Sequence, residues 1–360
     1  MTTVKYNYKT TLPKEANSPS VFVGGDSFVN YLVIFNIIED NQVKKIKEVI
    51  IPGGSTAWAN YTQSYKNWYI TVHQDDKLIS HDLFNPNSKV VFIKIDGRAL
   101  GDNLAWFPYV EEFRKKHNCT VICSTFFNNL FKDVYPEILF VNPNINIDNV
   151  YSQFYIGSAN DDNEKYSPVN YEKKPLQSCA YEVLGLEPKE IRANLEFLIP
   201  LQKFNQKTVC ISEFASSEIK MWREVGGWQK VVDFLVSIGY QVLVISKEKT
   251  TLQNVVDLTG NIPLIDRCLL LRNCDFFIGV SSGLSWLSWS LGTHTFLISD
   301  ITPMTHEFQT NITRICANPN LSEINYNAEN ITSSDTVIKS ISKYLSTIWH
   351  NPSNQIYLLR

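Results

Sequence analysis

The sequence predicts an α/β protein made of two Rossmann-type halves preceded by a small β-rich module. Three observations carry that expectation. From Lys207 to Ile298, short apolar strands alternate with helical stripes, a spacing that suits a parallel sheet with right-handed crossovers. Lys89–His117 repeats the unit in the first half, as an apolar strand, a glycine-bounded loop and an amphipathic helix. Ahead of both, residues 21–84 show strand patterning and turn signals but no helical stripe.

Residues 1–20 are polar and are expected to be poorly ordered. In 21–84, Phe28–Ile38 and Val43–Ile51 read as strands around a turn at Asn41, and Trp68–Val72 and Lys77–Ile79 flank a hairpin turn at Gln74-Asp75-Asp76. The first Rossmann half spans 85–200. Val90–Ile95 is its leading strand, and Trp106, Tyr109, Val110 and Phe113 form a helical stripe. Pro108 suits a first helical turn, so the helix is expected to begin near it, with Asp102 in the loop before. The second half spans 201–333, with strands at Lys207–Ser212, Gln241–Ser246, Phe276–Val280 and Thr295–Ile298. Its expected helices are the Trp228–Ile238 stripe, 252–258, 264–272 and 284–291, with Gly239 and Gly292 as stops. Residues 334–360 are expected to form a final helix packing back across the halves.

Composition narrows the function. A net charge of −3 leaves no basic footprint for nucleic acid. No apolar run approaches the roughly 20 residues that cross a bilayer, and the amino terminus has no apolar signal core. Seven scattered cysteines without a CxxC pair fit reduced thiols in the cytoplasm better than a disulfide framework. There is no Walker loop, Gly-x-Ser-x-Gly or Gly-x-Gly-x-x-Gly, and the six histidines have no ligand spacing.

Four stretches could carry chemistry. The first is Gly101-Asp102, which follows a strand and precedes a helix. An aspartate there is most often a cap, but open α/β sheets also bind ligands at their carboxyl edge. The second is Ser216–Trp222, where Lys220 is either a solvated charge or a cation held at the sheet edge. The third is Ile245-Ser246-Lys247-Glu248 at a strand end. Glu248 can accept hydrogen bonds from ribose hydroxyls, or it can pair with a surface lysine. The fourth, Asp275–Trp286, runs a strand through Ser281-Ser282-Gly283-Leu284 into a helix. A helix amino terminus of that kind favours pyrophosphate through its free N–H groups and its dipole.

The segment GRALGDNLAWFPYVEEF resembles the Gly-Asp signature of the bacterial autotransporter heptosyltransferases and, more distantly, that of the lipopolysaccharide heptosyltransferases. Ser281-Ser282-Gly283-Leu284-Ser285-Trp286, Ile298-Ser299-Asp300 and His306-Glu307-Phe308 also resemble the autotransporter enzymes, and the likeness covers roughly residues 66–310. It implies a GT-B fold, two Rossmann-like domains facing a cleft, and inverting transfer of heptose from ADP-heptose to serine hydroxyls of a protein such as an autotransporter passenger. In that role Asp102 is the catalytic base and Lys220 sits near the leaving diphosphate. Gly101, Glu248, Ser281, Ser282, Gly283 and Leu284 hold the donor. The family's cysteine cluster for iron is reduced here to Cys316, too few ligands for a tetrahedral site, so no metal and no other cofactor is expected. The β-rich module is either a packing layer or a surface for acceptor recognition or homo-oligomerisation. Two other readings remain open: GT-B transfer with another nucleotide sugar or a glycan acceptor, and a non-catalytic nucleotide-sugar-binding scaffold.

Overall fold

The computed structural model describes residues 2–8, 18–59, 64–143, 145, 147–157, 160–161, 164–165 and 169–349. Most of the polar stretch expected to be disordered before residue 20, namely 9–17, lies outside them. The chain forms two compact units. One comprises Met1–Arg98, Trp106–Asn170 and Gln177–Ile191, and the other Ala99–Ala105, Tyr171–Leu176 and Arg192–Arg360.

The first unit opens with β1 (Val4–Asn7), β2 (Ser20–Val23), β3 (Asn30–Glu39), β4 (Gln42–Pro52), β5 (Ser55–Trp58), β6 (Trp68–Gln74) and β7 (Lys77–Leu83). These make two antiparallel sheets, ordered β1-β2-β5 and β4-β3-β6-β7. Val4–Asn7 is thus a paired strand inside the stretch expected to be disordered, because its backbone groups find partners in Ser20–Val23. Tyr31, Val33, Phe35 and Ile37 alternate along β3 and are all buried, as period-two patterning requires. The β3–β4 and β6–β7 turns carry Asp40-Asn41 and Asp75-Asp76 at positive φ. Asn and Asp tolerate that region, which tight two-residue hairpins need.

Next come β8 (Val90–Ile95), α1 (Leu100–Trp106), α2 (Pro108–His117), β9 (Thr120–Ser124), α3 (Asn128–Phe131), β10 (Ile138–Val141) and β11 (Ser152–Ile156). The four strands pair in parallel in the order β10-β9-β8-β11. A two-residue hairpin, β12 (Asn160–Asp161) and β13 (Glu164–Lys165), and α4 (Ser178–Val183) follow. Pro108 does start a helix, but a seven-residue helix already precedes it. Asp102 therefore sits in the first turn of α1 and not in a loop.

The second unit contains β14 (Thr208–Ser212), α5 (Gly227–Ser237), β15 (Gln241–Val244), β16 (Val256–Asp257), α6 (Leu264–Asn273), β17 (Phe276–Val280), α7 (Gly283–Ser290), β18 (Thr295–Ile298), β19 (Ile312–Ile315) and α8 (Ser334–Trp349). Its six strands are all parallel and ordered β16-β15-β14-β17-β18-β19. In chain order that is 3-2-1-4-5-6, the Rossmann arrangement, whose ligand crevice opens where the order reverses. The reversal falls between β14 and β17, so Ser212 and Val280 mark its floor. Every residue of β14, β17 and β18 is buried, as in a parallel sheet covered on both faces.

One expectation fails in this unit. The predicted helix at 252–258 is an extended segment containing β16, because Asn254 stands at φ 60° and breaks any helical turn there. The sheet also gains an unpredicted edge strand, β19. Val337 and Ile341 of α8 join the core beside α5 and β19.

Candidate functional site

An open pocket of about 340 Å³ lies at the carboxyl ends of β14, β15 and β17, and every residue lining it belongs to the second unit. That volume falls at the small end of the usual range for ligand pockets. All the sequence-predicted site residues reach it: Gly101, Asp102, Lys220, Glu248, Ser281, Ser282, Gly283 and Leu284.

Asp102 comes to the pocket on the first turn of α1, where the Asn103 amide donates back to the Ala99 carbonyl at 2.8 Å. Asp102 is half-buried and lines the pocket. Burial pushes its pKa up to about 6, against the opposing pull of the Lys220 ammonium. A carboxylate tuned there is mostly ionised at neutral pH yet far more basic than a free aspartate, the state a general base needs.

Two glycines let this turn approach α7. A Cβ on Gly283 would lie 2.9 Å from the Leu100 Cβ and 3.3 Å from the Gly101 nitrogen. A Cβ on Gly101 would lie 3.1 Å from Trp286 Cδ1. Gly283→Ala is expected to cost about 1–3 kcal/mol of stability by overpacking against backbone-anchored atoms. Gly101→Ala, facing the rim of a side-chain ring, should cost less. Thermal unfolding of the two variants measures the difference, and equal losses would contradict the close approach described.

Packed against this turn is the start of α7. Ser282 is its extended N-cap, and the Ser282 hydroxyl has no hydrogen-bond partner among the described residues. Ser281 is different: its hydroxyl donates inward to Glu307 Oε1 at 2.6 Å. Glu307 is fully buried, pairs with Arg314 and accepts from the Thr302 hydroxyl at 3.1 Å. The serine free to meet an anion is therefore Ser282, together with the unpaired N–H groups of the first helical turn.

Lys220 closes a short 3-10 turn, Glu218–Lys220, and its charge acts on both Asp102 and His306. Glu248 is exposed beyond the end of β15. Its loop is braced from beneath by Arg267, whose Nε donates to the Ile245 carbonyl at 3.0 Å and Nη1 to the Ile262 carbonyl at 2.6 Å. The pocket thus gathers an exposed carboxylate, a helix start with an unpaired hydroxyl, a cation and a raised carboxyl.

Sequence reasoning assigned no role to Leu176, Trp286 or His306, which also line it. Of these, Trp286 and His306 stood only within motifs that resembled the family. Leu176 lies far away in the chain and left no signal.

No protein-family model matches the chain. Over 248 residues it is 32% identical to the autotransporter heptosyltransferase BAHTCr of Citrobacter rodentium, covering 66% of this chain and 60% of that one. Over 270 residues it is 32% identical to the autotransporter heptosyltransferase Aah of Escherichia coli, covering 70% and 69%. BimC of Burkholderia thailandensis, described as an inactive autotransporter heptosyltransferase, is 28% identical over 253 residues, 67% of this chain and 60% of BimC. The chain thus spans between three fifths and seven tenths of these relatives. In fold it matches the crystal structure of TibC from enterotoxigenic E. coli, a protein described as an iron-containing dodecameric glycosyltransferase, with a TM-score of 0.80 at 22% identity over 96% of both chains. A second TibC structure, in complex with ADP-D-beta-D-heptose, matches at 0.78. The fold is α/β of the GT-B type.

TibC overturns the expectation that no metal is involved, since a protein of this fold along nearly its whole length contains iron. Among the described residues no group of three or more His, Cys, Asp or Glu side chains is placed to hold a metal ion. Cys316 is half-buried, its sulfur is 3.6 Å from Met304 Sδ, and burial raises its thiol pKa. These residues do not fit an iron centre, and no chemical step is assigned to one.

Proposed function

The chain belongs to the autotransporter heptosyltransferase family, and from that premise we propose that it transfers heptose from ADP-heptose to serine hydroxyls of a protein acceptor. The observation that carries the proposal is one pocket joining a carboxyl raised to about 6, a lysine beside it and a helix amino terminus with a free hydroxyl.

In this reading Asp102 takes the proton from the serine hydroxyl as its oxygen attacks the anomeric carbon. The bond from that carbon to the diphosphate breaks on the opposite face, so ADP leaves with the electron pair and the configuration inverts. Lys220, the Ser282 hydroxyl and the N–H groups at Gly283 and Leu284 stabilise the charge arriving on ADP. Gly101 allows the base to approach, Ser281 shapes the turn through Glu307, and Glu248 receives the ribose. A nucleotide-binding scaffold, the state suggested by an inactive relative, is disfavoured by the tuned base, for which a pure binder has no use. The acceptor is proposed to be an autotransporter passenger, and self-association into a homo-oligomer accompanies it, as in dodecameric TibC. All seven cysteines are free thiols, in keeping with a cytoplasmic location. No helix among the described residues is long and apolar enough to cross a membrane.

The test compares ADP-, UDP- and GDP-sugars as donors, with and without a passenger protein. Release of ADP from ADP-heptose that depends on the passenger supports the reading. Faster turnover of a UDP- or GDP-sugar moves it to another donor. ADP itself should raise the thermal stability, by about 2.7 kcal/mol at roughly 100 times Kd. An unchanged melting temperature at millimolar ADP would remove the nucleotide site.

A further inference from the structure

We propose that His306 recognises the donor's sugar, its Nδ1 accepting a hydrogen bond from one sugar hydroxyl and so helping to set which sugar the pocket takes. The proposal rests on the reading of the pocket as a nucleotide-sugar site and adds a specificity residue to it.

His306 lines the pocket, is only 6% exposed, and its Nδ1 has no partner among the described residues. A buried, unpaired polar atom on a ligand pocket is costly unless something arrives to satisfy it. The carbonyls of Tyr171 and Lys174 engage the ring, and the Leu176 N–H binds the His306 carbonyl at 2.9 Å. With Nδ1 unpaired, the carbonyls are served by Nε2–H, which leaves a lone pair on Nδ1. Burial, then Lys220 and Arg314, push the imidazole pKa down to about 3, so the ring is neutral and Nδ1 accepts only.

That chemistry selects the partner. A phosphate oxygen would oppose lone pair to lone pair, whereas a hydroxyl donates. Lys220 acts on both His306 and Asp102, so His306 shares the neighbourhood of the proposed base, where the transferred sugar would sit. The hydroxyl is therefore one of the transferred sugar's.

The experiment measures Kd for ADP and for ADP-heptose on the wild type, His306→Gln and His306→Asn. The glutamine amide can still donate to the carbonyls but has no acceptor at the δ position. Asparagine keeps an oxygen there. Expected for His306→Gln is ADP affinity within about twofold of wild type and ADP-heptose affinity about fivefold to twentyfold weaker. His306→Asn should keep more of the preference for ADP-heptose over ADP. A Gln variant with the wild-type preference would overturn the proposal, as would equal weakening of both ligands in both variants, which marks a purely structural residue. On the wild type alone, at least one ADP-sugar analogue lacking a single hydroxyl must lose the same fivefold to twentyfold. If none does, the proposal is wrong even should His306→Gln fail to fold. A wild type that binds ADP but gains nothing from the sugar sinks this inference only, and one that binds neither sinks the nucleotide-sugar reading with it.

Discussion

Asp102→Asn is expected to lower heptose transfer by about 10²–10⁴, or roughly 3–5 kcal/mol of transition-state stabilisation. The amide keeps the size and the helix-start preference of aspartate but cannot take the serine proton. ADP affinity should stay within a few-fold, because in the proposed mechanism the base acts on the acceptor and not on the nucleotide. Were Asp102 only a first-turn residue, the same change would leave turnover near normal and cost at most about 1 kcal/mol of stability. Transfer assays on the purified variant separate the two, and more than about a tenth of wild-type turnover would return Asp102 to a structural role.

Lys220→Met should have the next largest effect and a second signature in the pH profile. Removing a fixed charge that stabilises the departing diphosphate typically costs about 10²–10³ in kcat. Lys220 also opposes the effect of burial on Asp102. In the wild type the base must be ionised, so kcat/KM is expected to fall as pH drops below about 6, the Asp102 value. Without the lysine the Asp102 pKa rises further, and the acid limb moves to higher pH. A slower enzyme whose acid limb stays in place would mean that Lys220 does not act on the base. A wild-type profile flat down to pH 5 would mean that Asp102 is not the base at all.

Much of this site is legible in the sequence, because its parts lie at strand ends and at one helix start. Val209–Ile211 and Phe276–Ile278 are apolar throughout, as strands covered on both faces are. Ser281–Gly283 therefore follows from where the second strand stops, whereas Lys220, eight residues beyond the first, stands out only through the resemblance to the family. The position of Asp102 is less legible. Pro108 announces a helix start so strongly that the short helix before it, built on Leu100 and Gly101, is hidden. Leu252 and Val255 stand at helical spacing, yet Asn254 between them adopts a left-handed conformation that composition does not disclose. Tertiary approach accounts for the remainder. Ser281 reads as a pyrophosphate ligand until its hydroxyl is seen donating to Glu307, and His306 acquires a role only when Tyr171–Leu176 is brought against it.

The most direct test of the central claim is the intact mass of an autotransporter passenger incubated with this protein and ADP-heptose, beside the Asp102→Asn variant. The account predicts mass increments of whole heptose residues, mapping to serines, with the wild type and almost none with the variant. A passenger that stays unmodified while Aah modifies it under the same conditions would contradict the account.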